Sequence, residues 1–233
     1  MAFDRSSTEP RKEAASPGRA AARDRAAALR FQVLFAEHSG LLSSRSLAWN
    51  ESFSRASMYL TALSGAIVAL ALVSQATGFG RNFFLFGLAI LPVVLFIGAA
   101  TFVRLAAANY HDAWCIVGMN RIRAAYLETV PDVARFLVTS PHDDIPGVGI
   151  SAGQEPTRSL IQFLAATPAV VAILNAVVAA AIGSFLAGAL ELGATVALAI
   201  GAAAFTVVLG GHARVAARGI ARAQAALAPM FPS

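Results

Sequence analysis

Three adjacent side chains, His142, Asp143 and Asp144, are the strongest candidates for chemistry in this sequence. Imidazole and carboxylate groups are common ligands of divalent metals and common general bases. A metal site usually takes further ligands from a second segment with its own spacing, and this sequence offers none. The triplet is therefore a candidate metal site, and the alternative is that its aspartates form turns and cap a helix.

A second candidate consists of His111 and Asp112, close to the end of a long apolar segment. Asp112 occupies a position on the apolar seam of a predicted helix, where a charge is costly unless it is paired. We expect Arg30 or Arg121 to be its partner. The pair could hold a ligand or a proton, or it could be an ion pair that fixes the register of two helices.

The segment GMNRIRAAYLE carries a third candidate, formed by Arg121, Arg123 and Glu128. The planar guanidinium of Arg is suited to bidentate contact with phosphate or carboxylate, so these residues could bind an anion or an acidic partner. The alternative is a network of salt bridges within the protein. The single cysteine, Cys115, excludes an intramolecular disulfide, and no zinc, nucleophile-elbow or Walker motif is present. We therefore expect no cofactor and favour a protein without catalysis of its own.

The elements that position these residues are predicted to be membrane helices. Hydrophobic residues make up 57% of the chain and charged residues only 13%, more apolar surface than a soluble domain of this size can bury. Four stretches without Asp, Glu, Lys or Arg each reach the roughly 20 residues that cross a bilayer. The sequence thus predicts an all-α, polytopic membrane protein with a small cytoplasmic helical module. The predicted spans are residues 58–77, 83–102, 168–187 and 192–211.

The distribution of basic residues predicts the orientation. Nine Lys or Arg precede the first span, five lie between the second and third, three follow the fourth, and only Arg81 lies in a connection on the other side. The positive-inside rule then places both termini and the long loop in the cytoplasm, and His111 and Asp112 at the membrane mouth. The excess of Arg over Lys suggests a bacterial, GC-rich genome. Because the basic residues flank apolar segments, the expected partner is lipid in the inner membrane rather than nucleic acid.

The same reasoning divides the chain into six segments. Apolar residues at three- and four-residue spacing continue beyond the second span, which predicts one rod that ends near Glu128, before Pro131. The predicted segments are a disordered tail (1–20), a cytoplasmic helical segment (21–56), spans one and two (57–104), a cytoplasmic helical loop (105–160), spans three and four (161–213) and a basic cytoplasmic tail (214–233).

Several residues are predicted to set the packing and depth of the spans. Asn175 is expected to form a hydrogen bond between helices, and small residues allow the third and fourth spans to pack closely. Trp49, Phe53 and Tyr59 are expected to lie in an aromatic belt at the inner membrane surface. The predicted packing glycines are Gly183, Gly188, Gly193 and Gly201, and the predicted lipid-headgroup contacts are Arg214, Arg218 and Arg222.

Two segments carry a resemblance to a family. WNESFSR, at residues 49–55, and GMNRIRAAYLE, at residues 118–128, resemble segments of an uncharacterised bacterial family of small four-span membrane proteins. The resemblance implies the same four-span architecture and brings no activity or site residue with it.

Three classes of function are open at this point. The leading hypothesis is a non-catalytic assembly, scaffold or regulatory protein that uses its cytoplasmic helices to bind a second copy or another membrane or cytoplasmic protein. One alternative is a small oligomeric channel or transporter. The other is a membrane enzyme that acts on a lipid-linked substrate with His142, Asp143 and Asp144 beside the arginines of GMNRIRAAYLE.

Overall fold

The computed structural model describes residues 17–153 and 167–233, of which 88% are helical, and these two ranges contain no strand. The predicted all-α fold is therefore confirmed. Five α-helices and one 3₁₀ helix follow one another along the described chain: α1 (Pro17–Thr77), α2 (Arg81–Thr129), the 3₁₀ helix (Pro131–Phe136), α3 (Ile145–Ser151), α4 (Thr167–Ala189) and α5 (Ala194–Ala226).

Four of the described helices, α1, α2, α4 and α5, are long and apolar enough to cross a membrane. Many of their large apolar side chains point outward, among them Val68 at 59% exposure and Leu198 at 74%. Water would hydrate such faces at a high cost in free energy, whereas lipid chains accept them. The protein is therefore a multi-pass membrane protein.

The two long helices run without interruption through the predicted boundaries. α2 extends to Thr129, which confirms the predicted rod, and Pro131 opens the 3₁₀ helix directly after it. α1 has no break near residue 56, because its extramembrane part and its span form one helix. The predicted disordered tail ended at residue 20, but α1 already begins at Pro17, a residue well suited to the first turn of a helix. The rest of that tail, residues 1–16, lies outside the described residues.

The chain divides into two compact units, residues 1–40 and 41–233. The first contains, among the described residues, only the beginning of α1. The second contains the membrane helices, and every contact described below lies within it. In this second unit, "the extramembrane module" denotes residues 41–57 of α1, residues 103–153, and residues 213–233.

The apolar core of the second unit is formed where α2 packs against α4, with α1 and α5 at its edges. Its buried members include Leu91, Val94 and Phe102 of α2 and Val171 and Val178 of α4. Tyr59 of α1 also lies here and is fully buried. Its predicted place in an aromatic belt is therefore wrong, because its ring turns toward the bundle interior rather than toward the membrane surface.

α4 and α5 form a tight hairpin through small residues. A Cβ at Gly201 would overlap Ser184 Oγ, which donates a hydrogen bond to Ala197 O, and a Cβ at Gly183 would lie 3.2 Å from Ile200. Gly188 instead makes room for Phe84 of α2.

Gly193 is the fourth predicted packing glycine. A Cβ added at this position would have no atom within 4 Å. The predicted packing role of Gly193 is therefore wrong. The residue has φ of +84° directly before the first residue of α5, a conformation that glycine adopts without strain, so the turn is the reason for a glycine here.

The hairpin contact predicts a difference between two glycines of α5. We expect Gly201→Leu to lower the melting temperature of the detergent-solubilised protein, because overpacking typically costs about 1–3 kcal/mol. Gly211→Leu, in the same helix with open space at its Cβ position, is the matched control and should melt near the wild-type temperature. Equal melting temperatures for the two variants would contradict the described contact.

Candidate functional site

The extramembrane module holds most of the polar residues singled out in the sequence, and the helices α1 and α2 bring the first of them together. Arg45 of α1 makes a bidentate pair with Asp112 of α2, with Nε 2.5 Å from Oδ1 and Nη2 3.1 Å from Oδ2. Both side chains are mostly buried. Such a pair holds the two helices in one register, because each partner would be costly to leave alone.

The prediction that Arg121 pairs with Asp112 is wrong, because Arg121 pairs with Asp143 instead. Sequence spacing along α2 could not identify Arg45, because it lies 67 residues away from Asp112.

A short polar row extends from this ion pair. His111 Nε2 lies 2.8 Å from Ser44 Oγ and 3.5 Å from Cys115 Sγ. Burial, together with the negative charge of Asp112, raises the pKa of the Cys115 thiol. The thiol is therefore kept protonated, which makes it a poor nucleophile and a poor metal ligand.

Asn120 connects α2 to the loop that follows the 3₁₀ helix. It is fully buried, and its Nδ2 donates to His142 O at 2.7 Å. Its Oδ1 accepts from Arg123 Nη1 at 2.7 Å and from Ser151 Oγ at 2.9 Å. No pattern in the sequence marks Asn120 as a connection, because its partners His142 and Ser151 lie 22 and 31 residues further along the chain.

The other two residues of the third candidate, Arg123 and Glu128, lie further along α2 than Arg121. Arg123 is half-buried, and burial, together with the charge of Arg45, lowers its pKa. Glu128 lies exposed in the last turn of α2. Arg123 is thus bonded to Asn120, and the anion or partner contact assigned to Glu128 stays a prediction.

Two members of the triplet, Asp143 and Asp144, bind the C-terminal segment of the chain. Asp143 is fully buried and accepts hydrogen bonds from Met230 N, Phe231 N and Arg121 Nε, at 2.7–3.0 Å. Its own N–H donates to Phe231 O at 3.2 Å. We call this arrangement the tail clamp, formed by Arg121, Asp143 and Asp144 around residues 227–233.

Arg121 and Asp144 complete the tail clamp on either side of Asp143. Arg121 Nη2 donates to Ala228 O at 2.9 Å. Asp144 accepts from Ser233 N and Oγ, each at 2.7 Å, and its other oxygen caps α3 by accepting from Gly147 N at 2.9 Å. The sequence alternatively predicts that these aspartates cap a helix, and Asp144 Oδ1 does so.

The charges of the tail clamp depend on these hydrogen bonds. Burial alone would raise the pKa of Asp143, but the bonds from Met230, Phe231 and Arg121 outweigh it and the pKa is lowered. Bonds from Ser233 and Gly147 lower the pKa of Asp144 to about 2. Since both pKa values lie below those of an unfolded chain, the tail clamp is fully formed above about pH 4 and weakens as the pH falls through about 2.

The described residues contain no group of three or more His, Cys, Asp and Glu side chains arranged to hold a metal ion. In the tail clamp the carboxylate oxygens that would serve as ligands face main-chain N–H groups and Arg121. The tail clamp therefore acts as a structural connection between α2 and the segment that follows α5.

A further polar cluster lies inside the bundle, and Asn175 is its one member whose role the sequence predicts. Asn175 of α4 donates from Nδ2 to His212 Nε2 of α5 at 3.2 Å, so its predicted bond between helices is present. Tyr59 of α1 and Asn175 both lie against Gly98 of α2. The sequence does not predict a place for His212 in the bundle, because it follows directly after the predicted fourth span. Its ring nevertheless packs against Phe102, with 4.4 Å between the ring centroids.

The predicted lipid contacts, Arg214, Arg218 and Arg222, lie exposed on α5 just beyond this cluster. Comparison of the chain with family models, with curated proteins and with solved structures yields no match.

The tail clamp predicts that one carboxylate controls the C-terminal segment. In Asp143→Ala we expect residues 227–233 to detach, because breaking a buried ion pair typically costs about 3–5 kcal/mol and here also frees two main-chain N–H groups. A tag appended after Ser233 should then be removed faster by a protease than in the wild type. Asp132→Ala, which removes an exposed carboxylate of the 3₁₀ helix, is the control and should leave the rate unchanged. An unchanged rate in Asp143→Ala would contradict the role of the clamp.

Proposed function

We propose that this protein is a non-catalytic assembly protein of a bacterial inner membrane that forms a homo-oligomer through α1. Its termini and its extramembrane module face the cytoplasm. The charge distribution supports this orientation, with 17 of 18 Lys and Arg on the module's side and only Arg81 on the other. Arg214, Arg218 and Arg222 then meet the anionic headgroups of the inner leaflet.

The observation that carries the proposal is a row of exposed apolar side chains along α1, which we call the α1 ridge. It consists of Leu42, Trp49, Phe53, Leu60 and Ile67, each at least 47% exposed. Steps of seven residues, with one of four between Trp49 and Phe53, place them on one face of the helix. This is the spacing by which two helices pack in a coiled coil.

The part of the α1 ridge that lies outside the bilayer is not explained by contact with lipid chains. Leu42 precedes the start of the first span by 16 residues, or roughly 24 Å along a helix that rises 1.5 Å per residue. At that distance from the hydrocarbon, the exposed side chain of Leu42 would be hydrated. Burial against another protein surface removes that cost.

A second copy of this chain is the occupant that fits the α1 ridge best. Two copies inserted in one membrane have the same orientation, so their α1 helices are parallel and their ridges lie at the same depth. Each ridge residue then meets its own counterpart, as in a parallel two-stranded coiled coil. Leu60 and Ile67 extend the same face into the bilayer, where the contact can continue.

The contacts of the module support a non-catalytic role. Asp112, Asp143 and Asn120, the buried polar groups nearest to the candidate sites, are bonded to other parts of the chain. The apolar seam of α2, first expected to mediate assembly, supports self-association less well. Its central residues Met119 and Ile122 are only 2% and 5% exposed, so they are already covered within the chain.

The resemblance to a four-span bacterial family and the two alternatives, an oligomeric channel or transporter and a lipid-directed enzyme, stay predictions. Asp143 and Asp144, two of the three residues that suggested the enzyme, are bonded to the C-terminal segment.

Disulfide cross-linking in native membranes tests the α1 ridge. Ser46 is exposed between Leu42 and Trp49, at a position that a parallel coiled coil buries at its seam. In a Cys115→Ser background, we expect Ser46→Cys to form a covalent dimer on mild oxidation. Ser54→Cys, an equally conservative and exposed replacement on another face of α1, is the matched control and should remain monomeric.

A second variant checks that cross-linking depends on the ridge. Phe53→Glu should reduce the Ser46→Cys dimer at least tenfold, because two glutamates would face one another in the seam. Equal cross-linking from residues 46 and 54, or none from either, would overturn the proposal.

A further inference from the structure

Two arginines of the extramembrane module, which we call the arginine pair, meet at one carboxylate. Arg55 of α1 donates from Nε to Glu51 Oε1 at 2.8 Å, and Arg104 of α2 donates from Nη2 to the same oxygen at 2.7 Å. The two guanidinium groups therefore lie side by side, each one hydrogen bond away from a shared atom. α1 and α2 thus contribute one arginine each to a single cluster.

One carboxylate does not balance the charge of the arginine pair. The hydrogen bonds from Arg104 and Arg55 lower the pKa of Glu51, so this carboxylate is ionised at neutral pH. An arginine side chain keeps its positive charge in proteins. Within residues 17–153 and 167–233, neither arginine forms an ion pair with any other carboxylate. The cluster of Glu51 and the arginine pair therefore has a net positive charge.

Most N–H donors of the arginine pair are open to a ligand. A guanidinium group has several donors in a planar fork, and each of the two arginines uses one of them on Glu51. No other acceptor in the described part of the chain takes the rest. The side chains of Arg55 and Arg104 are 44% and 53% exposed, so an anion can approach them from outside the protein.

The depth of the arginine pair indicates which anion it meets. Arg55 lies three residues before the first predicted span, and Arg104 lies two residues after the second. At about 1.5 Å per residue, both backbones are at most roughly 3–5 Å beyond the hydrocarbon, and a tilt of the helices would reduce that distance. The headgroup layer on each side of a bilayer is about 5–8 Å thick, so the arginine pair lies among lipid phosphates.

The cluster faces away from the α1 ridge. Glu51 is two residues from both Trp49 and Phe53, which corresponds to about 200° of rotation around the helix. Two copies joined along the ridge would therefore leave Glu51 and the arginine pair uncovered. A ligand can thus bind the arginine pair in a monomer and in an oligomer alike.

We propose that Arg55 and Arg104 form a binding site for the phosphate group of an anionic phospholipid. The non-ester oxygens of the phosphate accept N–H groups from both guanidinium forks, whose geometry suits bidentate contact with phosphate. Glu51 stays between the two arginines and offsets their mutual repulsion. The net positive charge of the cluster favours a lipid whose headgroup carries no cation, because like charges repel.

A bound phosphate would join α1 to α2 at the membrane surface, beside the contact that Glu51 already makes. The composition of this leaflet would then affect how firmly the two rods are held together. The site depends neither on the α1 ridge nor on the tail clamp.

Native mass spectrometry of the full chain, released from detergent and titrated with phosphatidylglycerol, tests the proposal. We expect Arg104→Gln to lower the affinity for the first bound lipid by about tenfold, because charge-assisted hydrogen bonds are lost. Arg104→Lys keeps the charge without the planar fork and should lower that affinity by about threefold. Arg81→Gln removes the one arginine of the connections on the other membrane surface and is the matched control, with wild-type affinity expected.

A double variant tests whether both arginines hold the same phosphate. Arg55→Gln should weaken binding as Arg104→Gln does, and the combination should bind little more weakly than either, because the effects of two groups on one shared ligand are not additive. Effects that multiply, equal effects of Arg81→Gln and Arg104→Gln, or full affinity in Arg104→Lys would overturn the proposal.

Two further ligands identify the source of the phosphate. Phosphatidylcholine, whose choline offsets the phosphate charge, should bind the wild type more weakly than phosphatidylglycerol does. Millimolar inorganic phosphate should leave the bound phosphatidylglycerol in place. Equal binding of the two lipids, or displacement of phosphatidylglycerol by inorganic phosphate, would contradict a site for an anionic phospholipid.

Discussion

The exclusion of water from the hydrocarbon core of the bilayer is the constraint on which the rest of this structure depends. Inside that layer each polar group must find its partner within the protein, because no solvent is there to supply one. Thr61, Thr77 and Thr206 meet this demand locally by donating to the carbonyl four residues earlier in their own helix. Ser184 meets it across the α4–α5 hairpin. In the polar cluster around Asn175 this demand is only partly met, because Asn175 Oδ1 is buried and makes no hydrogen bond.

Beyond the bilayer, the same long helices carry a different kind of contact. α1 and α2 cross the membrane surface without a break, so their extramembrane parts inherit the geometry of their spans. The Arg45–Asp112 pair and the Glu51–Arg104 pair, at 2.7 Å, connect the two rods at successive heights. The tail clamp then ties the segment after α5 to the far part of α2. The module is thus joined to the bundle by two continuous helices and by side-chain contacts between them.

Much of this arrangement could be predicted from the sequence, and the remainder had a physical reason to be hidden. Stretches without charged residues predict the four membrane helices. The apolar seam that continues beyond the second span, together with Pro131, predicts the length of α2. The rotation of α1 about its axis was not accessible, because a lipid-facing helix is apolar all round and carries no polar face to orient it. Tyr59 was therefore assigned to the surface. The tail clamp joins residues 87 to 89 positions apart through main-chain groups, which leave no pattern in side-chain types.

The most direct test of lipid immersion compares two spin labels, placed by Leu198→Cys and Val138→Cys in a Cys115→Ser background. Both native side chains are apolar and highly exposed, at 74% and 95%, but Leu198 lies in the fourth span and Val138 in the module. For a bundle solvated by lipid chains, the label at residue 198 should collide often with oxygen and rarely with a water-soluble nickel chelate, with the opposite order at residue 138. Ready access of the chelate to residue 198 in membranes would contradict the account.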